Sequence, residues 1–376
     1  MHRVDHPLLS ASLGSQKTLT SLHFGQPGGR PKIYIQASLH AEELPGMLVA
    51  HHLRRLLQQA HDQRLLSGEV VLVPVANPIG LAQRLDHKPM GRFELDTSEN
   101  FNRHYPELAE AVWPTLRAQL GDDAQANVQA VRQAVANYLR DWLPATELQS
   151  LRRTLLTLTH DADYVLDLHC DCEGVLHFYT EEACWPQLAP LAHHLGAQAI
   201  LLARDSGGGP IDECLSGLWW QLAERMAQAG LNGPLPQACC STTIELRGER
   251  DVRHDLAAQD AQAIAHWMAH VGVWQRDSIA PVPTPRCQAT PLAGSQTLHA
   301  QRPGVLVFLK EAGQTVAQGD CVAEVIDPIT GQTEAVCAGV AGVFYAHIRD
   351  RYVHAGGEVG KIAGATAFRT GPLLGA

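Results

Sequence analysis

Five short runs rich in apolar and β-branched residues alternate with longer stretches of helical pattern along the first two thirds of the chain. These runs occupy residues 32–39, 69–76, 163–168, 198–203 and 242–246. Their length and composition predict β-strands, and strands that alternate with helices are typical of a mostly parallel sheet with helices on both faces. We therefore expect an α/β fold in which polar residues that follow these strands meet beyond the carboxyl edge of the sheet.

The first run ends in a His-x-x-Glu motif, His40 to Glu43, where a helix is expected to begin. A His and a Glu three residues apart in such a turn can face one point and bind a metal ion through nitrogen and oxygen. This spacing arises readily by chance, because the chain has 20 histidines and 39 acidic residues. The prediction therefore depends on the fact that several candidate residues lie at or just after the end of a predicted strand. His169, directly after run 163–168, is the best candidate for a third ligand.

Two histidines and one carboxylate are typical of a catalytic zinc site, in which the fourth position stays open. We predict one zinc ion per chain at such a site. A nearby base must then accept a proton from water, and Glu245 at the end of run 242–246 is the candidate. The alternative for Glu245 is an ion pair with Arg247 or Arg250. Cys172 could also be read as a metal ligand, but we expect it to be a small buried apolar residue.

A second cluster of motifs indicates a binding site for a carboxylate. Asn77-Pro78 follows run 69–76, and Arg92 precedes the pair Asn102-Arg103. An arginine offers a planar fork that binds a carboxylate through two hydrogen bonds, and an asparagine adds a neutral donor. Such a clamp suits the carboxylate of an amino acid, whereas the alternative for any single arginine is a solvated surface position.

The order of these motifs resembles the succinylglutamate desuccinylase and aspartoacylase family, whose members are related to the zinc carboxypeptidases. The motifs are His40-x-x-Glu43, Asn77-Pro78, Asn102-Arg103, Asp167-Leu168-His169 and Glu245, which span nearly the whole chain. The resemblance implies that His40, Glu43 and His169 bind zinc. It also implies that Asn102 and Arg103 hold a substrate carboxylate, that Arg92 polarises the scissile carbonyl, and that Glu245 is the base. Asn100 stands where the family often has Asp, and Arg84 is an alternative to Arg92.

The chain is divided by a proline-rich stretch that begins near residue 277. We predict a catalytic domain over residues 1–280, with a helical insertion at about 106–160 that forms a subdomain or an oligomer contact. Trp113 and Trp142 in this insertion, like Trp219 and Trp220, are expected to fill a core or an interface. Residues 281–376 are predicted to be a linker followed by a small all-β domain.

In that C-terminal region, short strand-like runs are broken by glycines, and two of its stretches resemble the halves of a lipoyl-like barrel-sandwich. The expected hairpin at residues 327–331 has no lysine, which disfavours a carrier. The family resemblance instead implies a domain that shields the active-site entrance. Tyr345, His347 and Arg349 are candidates to face the site, but each is equally consistent with a surface position.

Composition excludes several other classes of protein. The 376 residues are 45% hydrophobic and 18% charged, which is enough for a large core and a small second domain. A net charge of -10 without a basic stripe argues against nucleic acid. No apolar run has the length of a membrane span or the features of a signal peptide, so we expect a cytoplasmic protein. Nine cysteines in such a chain predict reduced thiols.

The function predicted from these features is hydrolysis of the amide bond of a small N-acyl amino acid. An N-acetyl-diaminobutyrate-type deacetylase is one version, because Asp212 and Glu213 beside the glycine-rich loop 205–210 would suit a cationic leaving amine. Capping of the following helix explains these two acids equally well. A metallocarboxypeptidase and a non-catalytic ligand-binding protein on the same fold are the alternatives, and a homo-oligomer is an open possibility.

Overall fold

A nine-stranded sheet forms the centre of the molecule. The computed structural model describes residues 1–375. The strands up to residue 291 are β1 (His2–Pro7), β2 (Thr18–Gly25), β3 (Lys32–Ala37), β4 (Glu69–Val73), β5 (Arg84–Leu85), β6 (Lys88–Pro89), β7 (Tyr164–Asp171), β8 (Glu173–Gly174), β9 (Leu176–Glu181), β10 (Ala199–Ala203), β11 (Cys240–Gly248) and β12 (Ala289–Pro291). Strands β5 and β6 form a separate hairpin.

The spatial order of the sheet is β1-β2-β4-β3-β7-β11-β9-β10-β12. Five of its eight neighbouring pairs run parallel, and the other three run antiparallel. The mixed, mostly parallel α/β sheet expected from the sequence is confirmed. All five predicted runs form strands, whereas β1, β2, β9 and β12 were not predicted. All six residues of β3 are buried, as expected for a central strand that is covered on both faces.

Within residues 1–375, eight α-helices surround this sheet. They are α1 (Pro45–Asp62), α2 (Pro78–Leu81), α3 (Leu108–Leu116), α4 (Ala124–Asp141), α5 (Glu147–Thr159), α6 (Trp185–Leu195), α7 (Ile211–Gln228) and α8 (His254–His270), with 3-10 turns at Arg117–Gln119 and Leu292–Gly294. Among the helices of residues 1–375, none is apolar over a length sufficient to cross a membrane.

The helices cover the two faces of the sheet through separate apolar cores. Helices α1, α6 and α8 pack on one face, and α3, α4, α5 and α7 pack on the other. The segment expected as a helical insertion therefore lies against the sheet beside α7. Side-chain caps fix the starts of two of its helices, because Asp123 accepts a hydrogen bond from the Ala126 amide and Thr146 accepts one from the Gln149 amide.

The chain after α8 continues into two small antiparallel sheets. Their strands are β13 (Ser295–His299), β14 (Gly304–Phe308), β15 (Thr315–Val316), β16 (Cys321–Ile326), β17 (Thr333–Cys337), β18 (Gly342–His347), β19 (Tyr352–Val353) and β20 (Glu358–Gly364). They share an apolar core that includes Leu306, Phe344 and Ile362.

This C-terminal region is joined to the large sheet at two places. Strand β12 extends the large sheet beside β10, and β8 pairs with β18. A further apolar cluster places Tyr345 of β18 against Tyr179 of β9 and Leu201 of β10. The β-region therefore packs against β9 and β10, beside the cavity described next.

Candidate active site

Three neighbouring strands carry the predicted metal ligands and the predicted base to one point. In the register of the parallel strands, Ala37 of β3 is opposite Leu168 of β7, and His169 is opposite Glu245 of β11. The turn after β3 then brings His40 and Glu43 to the same edge. The ligand atoms of His40, Glu43 and His169 lie within 4.8 Å of one another, and all three side chains are buried.

The Glu43 carboxylate lies between the two imidazoles. Its Oε1 is 3.0 Å from His40 Nδ1, and its Oε2 is 2.8 Å from His169 Nδ1. Each opposite ring nitrogen lies beside an oxygen. His40 Nε2 is hydrogen-bonded to Asn100 Oδ1 at 2.9 Å, and His169 Nε2 lies 2.9 Å from Asp167 Oδ2 as an ion-pair contact. Oxygen partners on the outer nitrogens orient metal-binding histidines and leave the inner nitrogens for the ion.

The protonation of this group also suits a metal ion. Burial, together with the nearby charge of Arg92, lowers the pKa of His40 to about 4, so this imidazole is neutral at pH 7. His169 and His40 hold the pKa of Glu43 well below its usual range in spite of burial, so Glu43 is an anion. Neutral imidazole and carboxylate are the forms that bind metals. In spite of burial, Asp167 and Glu43 raise the pKa of His169 well above its usual range, so this imidazole would release a proton as a metal ion binds. With that release the three residues fit a divalent ion.

The thiols that neighbour His169 do not belong to this group. Within residues 1–375, the cluster of candidate ligands around this point comprises His40, Glu43 and His169. Cys170 supports the cluster through its backbone amide, which donates to Glu43 Oε2 at 3.1 Å. All nine cysteines are unbridged.

Glu245 faces the cavity beside the three ligands, and one of its oxygens, Oε2, is buried without a hydrogen-bond donor. Neither arginine that the sequence offered as a partner pairs with it. Arg247 pairs with Asp260, and Arg250 is exposed. Burial and the negative charge of Glu43 raise the pKa of Glu245 to about 8. Such a carboxyl group can accept and return a proton near neutral pH.

Of the two arginines considered for the scissile carbonyl, only Arg92 lies at the cluster. Its Nη1 is 3.3 Å from both Glu43 Oε1 and His40 Nδ1, whereas Arg84 is exposed on the β5–β6 hairpin. Gly91 allows this placement, because a Cβ there would lie 2.4 Å from the Glu42 amide nitrogen.

Asn102 and Arg103 also line the cavity, although each already has hydrogen-bond partners. Asn102 Oδ1 accepts from the Ile211 amide at 3.0 Å and so caps α7 in place of Asp212 or Glu213. Arg103 is 9% exposed, and its Nη2 donates to the carbonyl oxygen of Gly375 at 2.7 Å. Asn100 Oδ1 accepts from the Asn102 amide at 2.8 Å and thereby links this pair to His40.

Several residues outside the predicted ligands, base and clamp complete the cavity wall, and among them Tyr345 was a candidate from the sequence. Tyr345 and Lys361 come from the C-terminal β-region, Glu181 comes from the end of β9, and the tail from Leu373 to Gly375 also lines the cavity. Glu181 could have been selected from the sequence, because residues 176–181 form another strand-like run that ends in a carboxylate. The tail has no comparable pattern.

Comparisons with known proteins agree with this fold. The family model described as the succinylglutamate desuccinylase/aspartoacylase catalytic domain matches residues 29–271. A search of curated protein sequences gave no match. A solved family protein from Shewanella amazonensis is 27% identical and covers 96% of this chain and 98% of its own, with a TM-score of 0.84.

Two more distant solved structures share the fold. A protein of the same family name from Shewanella frigidimarina is 22% identical, with a TM-score of 0.81, and covers 96% of this chain and 97% of its own. The product-bound ectoine utilization protein EutE from Ruegeria pomeroyi is 15% identical, with a TM-score of 0.66, and covers 97% and 94%. Both similarities extend over nearly the whole chain, including the C-terminal β-region.

Proposed function

Because the chain belongs to the succinylglutamate desuccinylase/aspartoacylase family, we propose that it is a zinc-dependent hydrolase of small N-acyl amino acids. The family is hydrolytic, so an enzyme is expected. One observation supports this function above all others. The buried His40, Glu43 and His169 group shares a single cavity with an unpaired carboxylate, Glu245, and with two arginines.

In this proposal His40, Glu43 and His169 hold the zinc ion. When bound, zinc would polarise the scissile carbonyl and make a water molecule more acidic. Glu245 accepts one proton as the water oxygen bonds to the carbonyl carbon, and it delivers that proton to the amide nitrogen as the carbon–nitrogen bond breaks. Its pKa of about 8 suits both transfers. Arg92 stabilises the negative charge that develops on the carbonyl oxygen.

Arg103 is the proposed partner of the substrate carboxylate. Its guanidinium is buried, so an ion pair there is little screened by solvent. The Gly375 carbonyl oxygen, which now accepts from Arg103 Nη2, lies where a carboxylate oxygen of the substrate would be expected. Asn102 positions this group, because its side chain caps α7 and its backbone oxygen accepts from Arg103 Nη1 at 2.8 Å.

One observation favours a metallocarboxypeptidase as the second candidate. The tail from Leu373 to Gly375 lines the cavity, with hydrogen bonds from the Leu373 amide to the Ser206 carbonyl oxygen and from Arg103 to the Gly375 carbonyl oxygen. The cavity therefore accommodates main chain as well as a small molecule. A carboxypeptidase would use the same metal ligands, base and clamp on the C-terminus of a peptide.

A substrate screen separates these candidates. The zinc-loaded protein would be assayed with N-acetyl, N-succinyl and N-formyl amino acids and with short peptides, and free amino groups would be quantified. We expect release from N-acyl amino acids, and we expect it to be abolished by chelation and restored by zinc. Hydrolysis of peptides alone would favour the carboxypeptidase. A protein that binds zinc but cleaves neither class would be a ligand-binding member of the fold.

A further inference from the structure

One wall of the cavity carries three acidic side chains that the proposed mechanism does not use. Glu181 ends β9, and Asp212 and Glu213 lie in the first turn of α7. Glu181 is 3% exposed and Asp212 is 6% exposed, and Glu213 is half-buried. We call these three residues the acidic wall.

Each carboxylate of the acidic wall has a hydrogen-bond donor at one of its oxygens. Trp220 Nε1 donates to Glu181 Oε1 at 3.2 Å, and Thr243 Oγ1 donates to Asp212 Oδ2 at 3.0 Å. The Ser206 amide donates to Glu213 Oε1 at 2.9 Å.

Two of the remaining oxygens of the acidic wall, Glu181 Oε2 and Asp212 Oδ1, are fully buried and accept from no donor within residues 1–375. Leaving a buried acceptor unpaired costs roughly 1–3 kcal/mol, and more for a charged group. Unpaired buried acceptors of this kind are rare, and they are often explained by a functional partner.

The nearby cations do not neutralise the acidic wall. Over the described chain, no Lys, Arg or His nitrogen lies within 4.0 Å of a Glu181, Asp212 or Glu213 oxygen. Arg204 stacks on the Trp220 ring at 4.1 Å and pairs with Glu224. The charges of Asp212 and Glu213 act on Arg103, but its guanidinium donates to the carbonyl oxygens of Asn102 and Gly375. Of the other cations that line the cavity, Lys361 pairs with Asp171, and Arg369 donates to the carbonyl oxygens of Ser295 and Leu373.

The space around Glu181 and the pKa values of the acidic wall are consistent with a binding site for a cation. Gly217 of α7 leaves room for the Glu181 carboxylate, because a Cβ at that position would lie 3.1 Å from Glu181 Oε1. Glycine inside a helix costs about 1 kcal/mol relative to alanine, so a packing reason is expected. Burial raises the pKa of Glu181 to about 9, and burial with the Asp212 charge raises that of Glu213 to about 8.

We propose that Glu181 and Asp212, assisted by Glu213, bind an ammonium group of the substrate. An ammonium carries three donors, and Glu181 and Asp212, which carry the two buried oxygens without a donor, line the same cavity as Arg103. Resting on the proposed function, this assigns the substrate class as N-acylated diamino acids, with the carboxylate on Arg103 and the ammonium on the acidic wall. Glu181 is then a specificity residue, and it takes no part in bond cleavage.

A pair of matched substrates tests this assignment. Nα-acetyl-L-ornithine and N-acetyl-L-norleucine differ only in that a methyl group replaces the ammonium. We expect kcat/KM of the zinc-loaded enzyme to favour the ornithine compound at least tenfold, and Glu181→Gln or Asp212→Asn to reduce this ratio at least tenfold. Glu182→Gln is the matched control, since Glu182 is the exposed neighbour of Glu181 and should keep the wild-type ratio.

Calorimetry decides the proposal even if no N-acyl amino acid is hydrolysed. The probes are L-ornithine and L-norleucine, titrated into zinc-loaded wild type and into the same variants, whose zinc content and circular dichroism verify folding. Tighter binding of ornithine that Glu181→Gln or Asp212→Asn abolishes would support the subsite. Equal affinity of wild type for both ligands, or a preference that survives both substitutions, would overturn it. Failure of hydrolysis alone would overturn only the proposed function.

Discussion

The buried acid Glu181 allows a prediction that needs no knowledge of the substrate. Glu181→Gln keeps the size of the side chain and leaves an oxygen that can still accept from Trp220 Nε1. The substitution removes a group whose pKa rises from 4.5 to about 9 on folding. A carboxyl group with a raised pKa binds more protons in the folded state than in the unfolded state, so it favours folding at low pH and opposes it as pH rises.

The expected size of this effect follows from the two pKa values of Glu181. One pKa unit corresponds to about 1.4 kcal/mol. Relative to low pH, the raised pKa of Glu181 therefore lowers the free energy of unfolding by at most about 6 kcal/mol above pH 9. At pH 7, which is about two and a half units above the unfolded pKa, the loss is about 3 kcal/mol. Below pH 4.5 the acid is protonated in both states, so wild type and Glu181→Gln should have equal stability with respect to this group.

The assay is urea unfolding of zinc-loaded wild type, Glu181→Gln and the exposed control Glu182→Gln between pH 5 and pH 8.5. We expect the unfolding midpoint of Glu181→Gln to match wild type near pH 5 and to exceed it increasingly at higher pH. Glu182→Gln should follow wild type throughout. A difference that does not change with pH, or no difference at pH 8.5, would show that Glu181 is already neutralised or solvated and would refute the reasoning.

Three further predictions concern the metal, the base and the clamp, and a fourth concerns the tail. His169→Ala should lose bound zinc when measured by mass spectrometry of the metal, and full retention would contradict its role as a ligand. Glu245→Gln should keep zinc, but its kcat should fall by a factor on the order of 10² or more, whereas near-normal turnover would require another base. Arg103→Ala should cost roughly 2–5 kcal/mol in kcat/KM for an N-acyl amino acid and little for its amide, and equal losses would indicate a structural role. A chain that stops at Gly371 should show a lower KM for carboxylate substrates, because the tail no longer accepts from Arg103, and a higher KM would show that the tail forms part of the binding site.

The sequence predicted the metal cluster because that chemistry depends on where strands end. Parallel strands share a carboxyl edge, so residues at or just after the carboxyl ends of β3, β7 and β11 lie close together. This places His40, His169 and Glu245 at one point from local patterns alone. The choice between Arg92 and Arg84 could not be made in this way, because it depends on how the loop after α2 folds over Gly91.

The features that the sequence did not predict depend on contacts between distant segments. Strand β9 lies between β11 and β10, antiparallel to β11 and parallel to β10, and this pairing turns Glu181 toward the cavity. Nothing in residues 176–181 indicates that its carboxylate lacks a partner, because that depends on Trp220, Gly217 and the absence of a nearby cation. Residues 372–375 carry no periodicity, so their position against Arg103 follows only from the folded chain.

The tail and the acidic wall together bear on substrate selection. The tail supplies a carbonyl oxygen that accepts a hydrogen bond from Arg103. Its Leu373 and Leu374 side chains are apolar, so the tail offers no cation to the acidic wall. A ligand with a carboxylate must displace Gly375, whereas an amine without a carboxylate need not. Truncation at Gly371 should therefore strengthen the binding of L-ornithine more than that of 1,4-diaminobutane, which lacks only the carboxylate. Equal gains for both would mean that the tail blocks the whole cavity and does not compete at Arg103 alone.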